Sequence, residues 1–478
     1  MNALWTSAEA QKATGGKAHG PDWRAFGVSI DSRSVIEGDL FVALAGPNHD
    51  GHDHVAGALK AGAAAALVHK IPVGLGEDTP LLLVEDTLEG LRKLGAASRA
   101  RTKAKVVGVT GSVGKTGTKE MLKLALGEAT THASVGSFNN HWGVPLSLAR
   151  MPADSKCAVL EIGMNHAGEI APLTAMVRPD IAIVTTVEAV HLEFFASTRE
   201  IAEAKAEIFT GVTPGGIALL PRDNPYYGLL RERAEQAGIT RFATFGAHID
   251  ADARLLDFAV VKDQTLVFAL IKDKPISYAV GVPGRPWAMN SLAVLLAADA
   301  AGIPIAEAAA ALANMRPPKG RGERRTLRWD EGSVTVIDES YNASPVSVRA
   351  ALATLGSLET GKNGRRIAVL GDMLELGEQG PSLHRGLADP VNQFGIDLVF
   401  TAGPLMGGLF DALNSEKRGA HASDSAQLAP MVAARIKAGD VVMVKGSAGS
   451  RMSRVVSHLD DLATNAAPVA HTQKGELA

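Results

Sequence analysis

Three observations predict an α/β protein built of three blocks. Short apolar runs alternate with helical stretches along the whole chain. The middle block opens with an apolar strand that runs into a glycine-rich turn and then a helix. The pair Pro317-Pro318 separates two such alternating units. Buried strands alternating with helices argue for a parallel, doubly wound sheet in the middle block and a Rossmann-like unit in the third. At roughly 100–200 residues per domain, a chain of 478 residues has room for about two to four domains.

The first block spans 1–104. Leu40–Leu44, Ala64–Val68 and Leu81–Val84 read as strands, and 55–61 and 88–100 as helices. Arg99 to Lys105 is basic and polar and is expected to be a linker. The second block, 105–317, opens with the strand Lys105–Thr110. Apolar strands are expected at 157–162, 181–186 and 216–220, and helices near 290–301 and over 304–315. Proline removes a helical hydrogen bond, so Pro317-Pro318 closes the block. The third block, 318–463, places strands at 333–338, 366–371, 397–402 and 440–445, and helices at 345–358, 381–394 and 425–437. Residues 464–478 read as a frayed tail.

Composition narrows the function. Hydrophobic residues make up 46% and charged residues 21%, enough to bury cores and unlike a disordered chain. A formal net charge of -3 leaves no broad basic footprint for nucleic acid or an anionic membrane. No window approaches the ~18 apolar residues of a spanning helix, and Met1–Trp5 lacks the features of a signal peptide. The lone Cys157 sits in an apolar run. It excludes an internal disulfide and fits a reducing cytoplasm, with Cys157 itself a core residue.

The strongest local signal is Thr110-Gly111-Ser112-Val113-Gly114-Lys115-Thr116, between a strand and the helical run 119–126. Glycines let backbone N–H groups approach phosphate oxygens, the helix N-terminus adds partial positive charge, and the lysine reaches the outer phosphates. Thr116 offers a hydroxyl to Mg²⁺. The glycine common five positions before Gly114 is Val109 here.

A phosphate loop alone does not separate kinases, switches and ligases. Glu161 ends a strand, where open α/β sheets place their ligands, and suits a hard cation; a capping or surface glutamate is the plain alternative. His191 follows the strand 181–186, and taken alone it reads as a structural histidine. Lys205, taken alone, reads as a solvated helix lysine. The run His49-Asp50-Gly51-His52-Asp53-His54 has zinc-ligand chemistry but no second cluster nearby.

Together these segments resemble the Mur ligases, which build the peptide stem of bacterial peptidoglycan. The resemblance rests on Thr110–Thr116, Ser137-Phe138-Asn139-Asn140-His141-Trp142-Gly143-Val144-Pro145, Glu161–Asn165, His191-Leu192-Glu193 and Ala204–Phe209, in that order, and covers nearly the whole chain. Asp31-Ser32-Arg33, Gly38–Leu44 and Asp50-Gly51-His52 resemble the family's UDP-sugar domain. Asp338–Pro345, Gly371-Asp372-Met373-Leu374-Glu375-Leu376-Gly377 and Lys445-Gly446-Ser447 resemble the member that adds D-alanyl-D-alanine to UDP-N-acetylmuramoyl-tripeptide. The sibling that adds the third amino acid usually carries Asp-Asn-Pro-Arg in its last domain, and that segment is missing. The N-terminal block argues against the related folate enzyme.

The resemblance implies an ATP-dependent ligase working through an acyl phosphate, with two Mg²⁺ ions, as a cytoplasmic monomer. It places the ATP phosphates on Lys115 and the loop 110–116. It places metal on Thr116, Glu161, His191 and a carbamoylated Lys205, adenine near Asn290, and Arg321, Asp338, Tyr341 and Asn342 at the nucleotide from the third block. Ser32, Arg33, Asp50, Gly51, His52, Asn139 and Asn140 are implied to hold the muramoyl substrate. Segments 371–373 and 445–447 are read as contacts near the dipeptide, with a simple turn as the alternative. The sequence departs from the family at Val187-Glu188-Ala189-Val190, at Gly117 and at Trp287, which stands where a histidine is common.

Overall fold

The computed structural model describes residues 3–46 and 49–465. Among the described residues, three main sheets follow one another along the chain. The first has five strands, in the order Lys17–His19, Leu81–Leu83, Ala65–Val68, Asp39–Val42 and Gly27–Ser29, and the last four run parallel. Its helix Thr87–Arg101 begins at Asp86, whose carboxylate accepts from the Glu89 amide and satisfies one of the free donors of the first turn.

The central sheet has nine strands. Seven run parallel in the order Ala253–Val261, Arg241–Gly246, Ile217–Pro221, Ile181–Val184, Lys105–Thr110, Cys157–Glu161 and Thr131–Ala133. Strands Lys105–Thr110, Cys157–Glu161 and Ile181–Val184 are almost wholly buried, as their unbroken apolar sequences require of strands covered on both faces. The chain leaves Lys105–Thr110 toward one side and returns to Ile181–Val184 on the other. The switch point of the sheet therefore lies at the C-terminal end of Lys105–Thr110.

The sheet is not parallel throughout, as the sequence led one to expect. Ala253–Val261 joins parallel to its neighbour Arg241–Gly246 and then opens an antiparallel meander with Gln264–Ile271 and Lys274–Val280. Tight turns over Lys262-Asp263 and Lys272-Asp273 join these strands, with Lys262, Lys272 and Asp273 at positive φ. Only one face of the meander is covered, so its strands alternate buried and exposed side chains instead of forming the continuous apolar runs that mark a parallel strand.

The third sheet has six strands, ordered Glu323–Trp329, Gly332–Glu339, Val441–Lys445, Arg366–Gly371, Leu398–Ala402 and Arg418–Ala422. Its first two strands form an antiparallel hairpin and the remaining pairs are parallel. The helix expected over 381–394 is two pieces, Gly380–Arg385 and Ala388–Gln393. The C-terminal helix Ser453–Asn465 takes in residues 464 and 465, while most of the expected tail lies outside the described residues.

The segment expected as a linker is firmly held. Arg99 and Arg101 belong to the helix Thr87–Arg101 and Lys105 already opens the central strand. Arg99 donates to the carbonyls of Val177 (2.8 Å) and Arg178 (2.7 Å), and Arg101 stacks on the Trp5 ring. Trp5 Nε1 donates to the Ala149 carbonyl, and Leu146 and Ala149 share one apolar core with Trp5, Leu91 and Leu94. The first and second units are thus packed together, with basic side chains spent on backbone carbonyls at the seam. Among the described residues, no helix is long and apolar enough to cross a membrane. Cys157 is buried, and burial pushes its thiol up.

Candidate functional site

The glycine-rich turn and the ends of the two neighbouring strands form the centre of the site. The helix Lys115–Ala125 starts at Gly114 with no side chain capping it, so its first amides remain free to meet an anion. Gly111 and Gly114 both have positive φ, +147° and +90°, which L side chains avoid. A Cβ on Gly111 would collide with the Thr185 hydroxyl, and one on Gly114 would lie 2.7 Å from the Asn290 amide. Thr185 in turn donates to the Val113 carbonyl at 2.6 Å, clamping the loop from the next strand.

Lys115 donates to the Gly111 carbonyl at 2.6 Å, which draws its ammonium over the loop; burial holds it below the usual lysine range. The Thr116 hydroxyl donates to Glu161 Oε2 at 2.8 Å, and Asn139 Nδ2 donates to Oε1 at 2.7 Å. Glu161 is 1% exposed, so the surface-glutamate alternative fails. Ser137 Oγ lies 3.2 Å from Thr116 Oγ1 and accepts from Arg321 at 3.2 Å. Because Thr116 donates to Glu161, Ser137 must donate to Thr116. The protons therefore run in one direction, from Arg321 through Ser137 and Thr116 to Glu161.

Lys205 is 2% exposed and cannot be a solvated helix lysine. Burial, with the Lys115 charge beside it, drives its amine well below the usual lysine range. His191 sits at positive φ (+57°), and its Nδ1 lies 2.6 Å from Glu375 Oε2, across the junction with the third unit. That contact holds the Glu375 carboxyl below the usual range.

The three sequence departures have local explanations. Glu188 meets Ser112 through its own main-chain N–H and carbonyl, at 2.9 and 3.1 Å, so the side chains at 187–190 can change without losing the loop's anchor. Gly117 and Trp287 compensate for each other: a Cβ on Gly117 would lie 2.8 Å from the Trp287 ring, which fills the space a side chain there would take. Asn290 packs on Gly114 from the helix Arg285–Ala300, beside the expected nucleotide.

The third unit brings Arg321 and Tyr341 toward this centre, with the Arg321 guanidinium 4.1 Å from the Tyr341 ring centroid. Asp338 is turned inward: its Oδ1 accepts from the Ser340 amide and hydroxyl, and Arg325 lies 3.6 Å from Oδ2. Asn342 is exposed, and its backbone carbonyl accepts from Lys445. The loops after three parallel strands converge here. Ser447 N–H donates to the Asp372 carbonyl, Leu374 N–H to Ser447 Oγ, and Ser447 Oγ to the Ala343 carbonyl. Asp372 is not a bare turn residue, because its carboxylate also accepts from the amides of Leu405 and Met406.

The first unit contributes a separate face. Arg33 grips Asp31 through two hydrogen bonds, at 2.9 and 2.7 Å, and holds that carboxyl at about 2; Ser32 lies between them in the sequence. Asp50 accepts from the His52 amide and ring and from Lys70, and these contacts hold it far below the carboxylate range. His52 is buried, and its Nε2 accepts from the His69 amide, so both ring nitrogens are engaged in shaping the loop. A Cβ on Gly51 would lie 2.7 Å from the Leu44 carbonyl, which leaves room for glycine alone. Among the described residues, no group of three His, Cys, Asp or Glu side chains is placed to hold a metal ion, so the run 49–54 lacks a zinc geometry.

Two residues expected to touch substrate have internal work. Asn139 orients Glu161, and Asn140 Oδ1 accepts the amides of Trp142 and Gly143 at the start of the helix Gly143–Ala149. Ser137, Thr185 and Glu375 were missed as site residues. Ser137 and Glu375 lie within motifs that carried the resemblance, but spacing along the chain gave no sign of their partners 184 residues away.

Three family models match successive parts of the chain: the Mur ligase family catalytic domain over 25–99, the Mur ligase middle domain over 109–298, and the Mur ligase glutamate ligase domain over 320–448. The UDP-N-acetylmuramoyl-tripeptide–D-alanyl-D-alanine ligase of Rickettsia prowazekii is 34% identical, covering 90% of this chain and 94% of its own length. The Bacillus subtilis enzyme of the same name is also 34% identical, over 91% and 93%. Among solved structures, MurF from Acinetobacter baumannii superposes with a TM-score of 0.81 at 27% identity, covering 96% of this chain and 99% of that one. MurF ligase from Thermotoga maritima in complex with ADP gives 0.75 at 29% identity, covering 92% and 98%. With an open phosphate loop at the switch point, three sheets in succession and relatives matched almost end to end, this chain belongs to the Mur ligase family.

Proposed function

We propose that this chain joins the terminal carboxylate of UDP-N-acetylmuramoyl-tripeptide to the amine of D-alanyl-D-alanine, using ATP, through an acyl phosphate. The observation that carries the reading is the meeting of the uncapped loop 111–114, the Thr116–Glu161 pair and the buried Lys205 beside Lys115 at one switch point. The substrate identities come from relatives of that name that align with at least 90% of the chain.

A carboxylate is a poor acyl donor because its leaving group would be oxide. Taking up the γ-phosphoryl group gives the carboxyl carbon a phosphate leaving group. The neutral amine of the dipeptide then attacks that carbon, the C–O bond to phosphate breaks, and the amine gives up a proton. The loop amides left free around Gly114, together with Lys115, bind the ATP phosphates and offset their charge. Arg321 approaches from the third unit, and Asn290 flanks the nucleotide.

A buried hydroxyl paired with a buried carboxylate suits Mg²⁺, which prefers oxygen donors. Thr116 and Glu161 would hold one ion, and His191 and Lys205 would serve a second. When bound, the ions neutralise phosphate and carboxylate oxygens. An amine favoured in its neutral form is the species that adds to CO₂, so the Lys205 environment favours carbamoylation, which replaces a repelling cation with oxygen donors. Closure of the third unit excludes water from the acyl phosphate. The muramoyl nucleotide binds along the face formed by 31–33 and 50–52. The enzyme works in the cytoplasm as a monomer.

The test is release of ADP and phosphate with ATP, Mg²⁺ and UDP-N-acetylmuramoyl-tripeptide, with and without D-alanyl-D-alanine. Release that needs the dipeptide, with a pentapeptide product by mass, is expected. Release with single amino acids would move the chain to a sibling ligase, and release without any acceptor would make it an ATP-driven switch.

A further inference from the structure

We propose that Glu375 is the positioning residue that makes His191 competent to bind metal, and that it does so only when the third unit is docked. The inference rests on the reading of His191 as a metal ligand. His191 Nδ1 lies 2.6 Å from Glu375 Oε2. A carboxylate only accepts, so the contact assigns a proton to Nδ1 and leaves Nε2 as the ring nitrogen that a metal would take.

The contact is built from both sides. His191 and Glu375 both hold positive φ, +57° and +62°, a conformation that bulky residues keep only where their surroundings impose it. The Glu193 amide donates to the Glu375 carbonyl at 3.2 Å. Gly377, at φ +54°, leaves its Cβ position 3.4 Å from the Glu193 Cα and the Leu192 carbonyl. Segments 191–193 and 375–377 therefore fit together by main chain as well as side chain, and each belongs to a different sheet unit. The Glu161 side of the centre is oriented within the central unit, by Thr116 and Asn139. The third unit reaches Glu161 at one remove, from Arg321 through Ser137 and Thr116, whereas His191 takes its direct partner, Glu375, from that unit. The direct partners of one metal position thus lie in the central unit, while the direct partner of the other comes with the third. That order would keep ATP from being consumed before the third unit arrives with the amine.

The experiment uses the full-length protein and Mn²⁺ titration by electron paramagnetic resonance with a non-hydrolysable ATP analogue. Nitrogen-15 histidine spectra of the metal-free protein read the tautomer. Glu375→Ala should leave the tighter ion unchanged and weaken the other at least tenfold. Glu375→Gln, which keeps an acceptor, should recover part of the loss, and Glu378→Gln on the exposed neighbouring turn should bind as wild type. The His191 signal should show Nδ1–H in the wild type and lose that preference in Glu375→Ala. His191→Ala should weaken the same ion, with no further loss in the double variant. Matching thermal midpoints show that each variant folds. Wild-type binding of both ions by Glu375→Ala, with the ion lost in His191→Ala, overturns the positioning role alone. Retention of both ions by His191→Ala overturns the reading of His191 and the inference with it.

Discussion

At the level of single residues, the site depends on side chains whose ordinary behaviour is suppressed by burial. Lys205 is the clearest case: a lysine on an exposed helix face keeps its proton, whereas this one is enclosed beside another cation. Lys205→Ala should lower turnover by roughly 100-fold or more, on the scale of removing one group that stabilises transition-state charge, and short carboxylic acids should restore part of it. In ¹³C-bicarbonate, the wild type should give a carbamate carbon signal that the variant lacks. Full activity of Lys205→Ala would remove the residue from the mechanism. Gly117 and Trp287 behave as one packing unit. Gly117→Thr should cost about 1–3 kcal/mol through overpacking against the ring, read by denaturant unfolding, and Trp287→His in the same chain should recover much of it.

At the level of elements, function sits where regular structure stops. The helix Lys115–Ala125 lacks a side-chain cap because its free amides are the expected phosphate ligands, whereas Gly143–Ala149 has its first amides taken by Asn140. Asn140→Ala should therefore cost about 1 kcal/mol of stability, the usual worth of such a cap, with little change in KM for the muramoyl nucleotide. A large rise in KM without loss of stability would return Asn140 to the substrate face. The elements that alternate apolar strand with helix were readable because a strand buried on both faces leaves a continuous apolar run. The meander over 253–280 was not, since its strands are half exposed and their runs are broken by polar residues.

At the level of the whole molecule, the three units are joined unequally. The first and second share an apolar core and a set of arginine-to-carbonyl contacts. The third touches the phosphate-loop centre through polar contacts such as Arg321 to Ser137 and His191 to Glu375. Polar seams separate at less expense than apolar ones, so the third unit is the one expected to swing. Small-angle scattering should show a smaller radius of gyration with ATP analogue and muramoyl substrate than without. Equal compactness in both states would argue against closure as the step that excludes water.

The order of the three units, the phosphate loop and the candidacy of Glu161, His191 and Lys205 are legible in the chain, because each is written locally: a strand, a turn and a helix within a dozen residues, or a motif of known order. What those residues touch is set by contacts between distant segments. They tie Asn139 to Glu161 and Asn140 to the amides of Trp142 and Gly143, give His52 a part in shaping its loop, put Thr185 under Gly111 and set Glu375 against His191. These pairings join strand ends and loops from separate parts of the sheets, and in the last case from separate units. A strand's periodicity records which face of it is buried; it holds no record of which distant loop will arrive at its end.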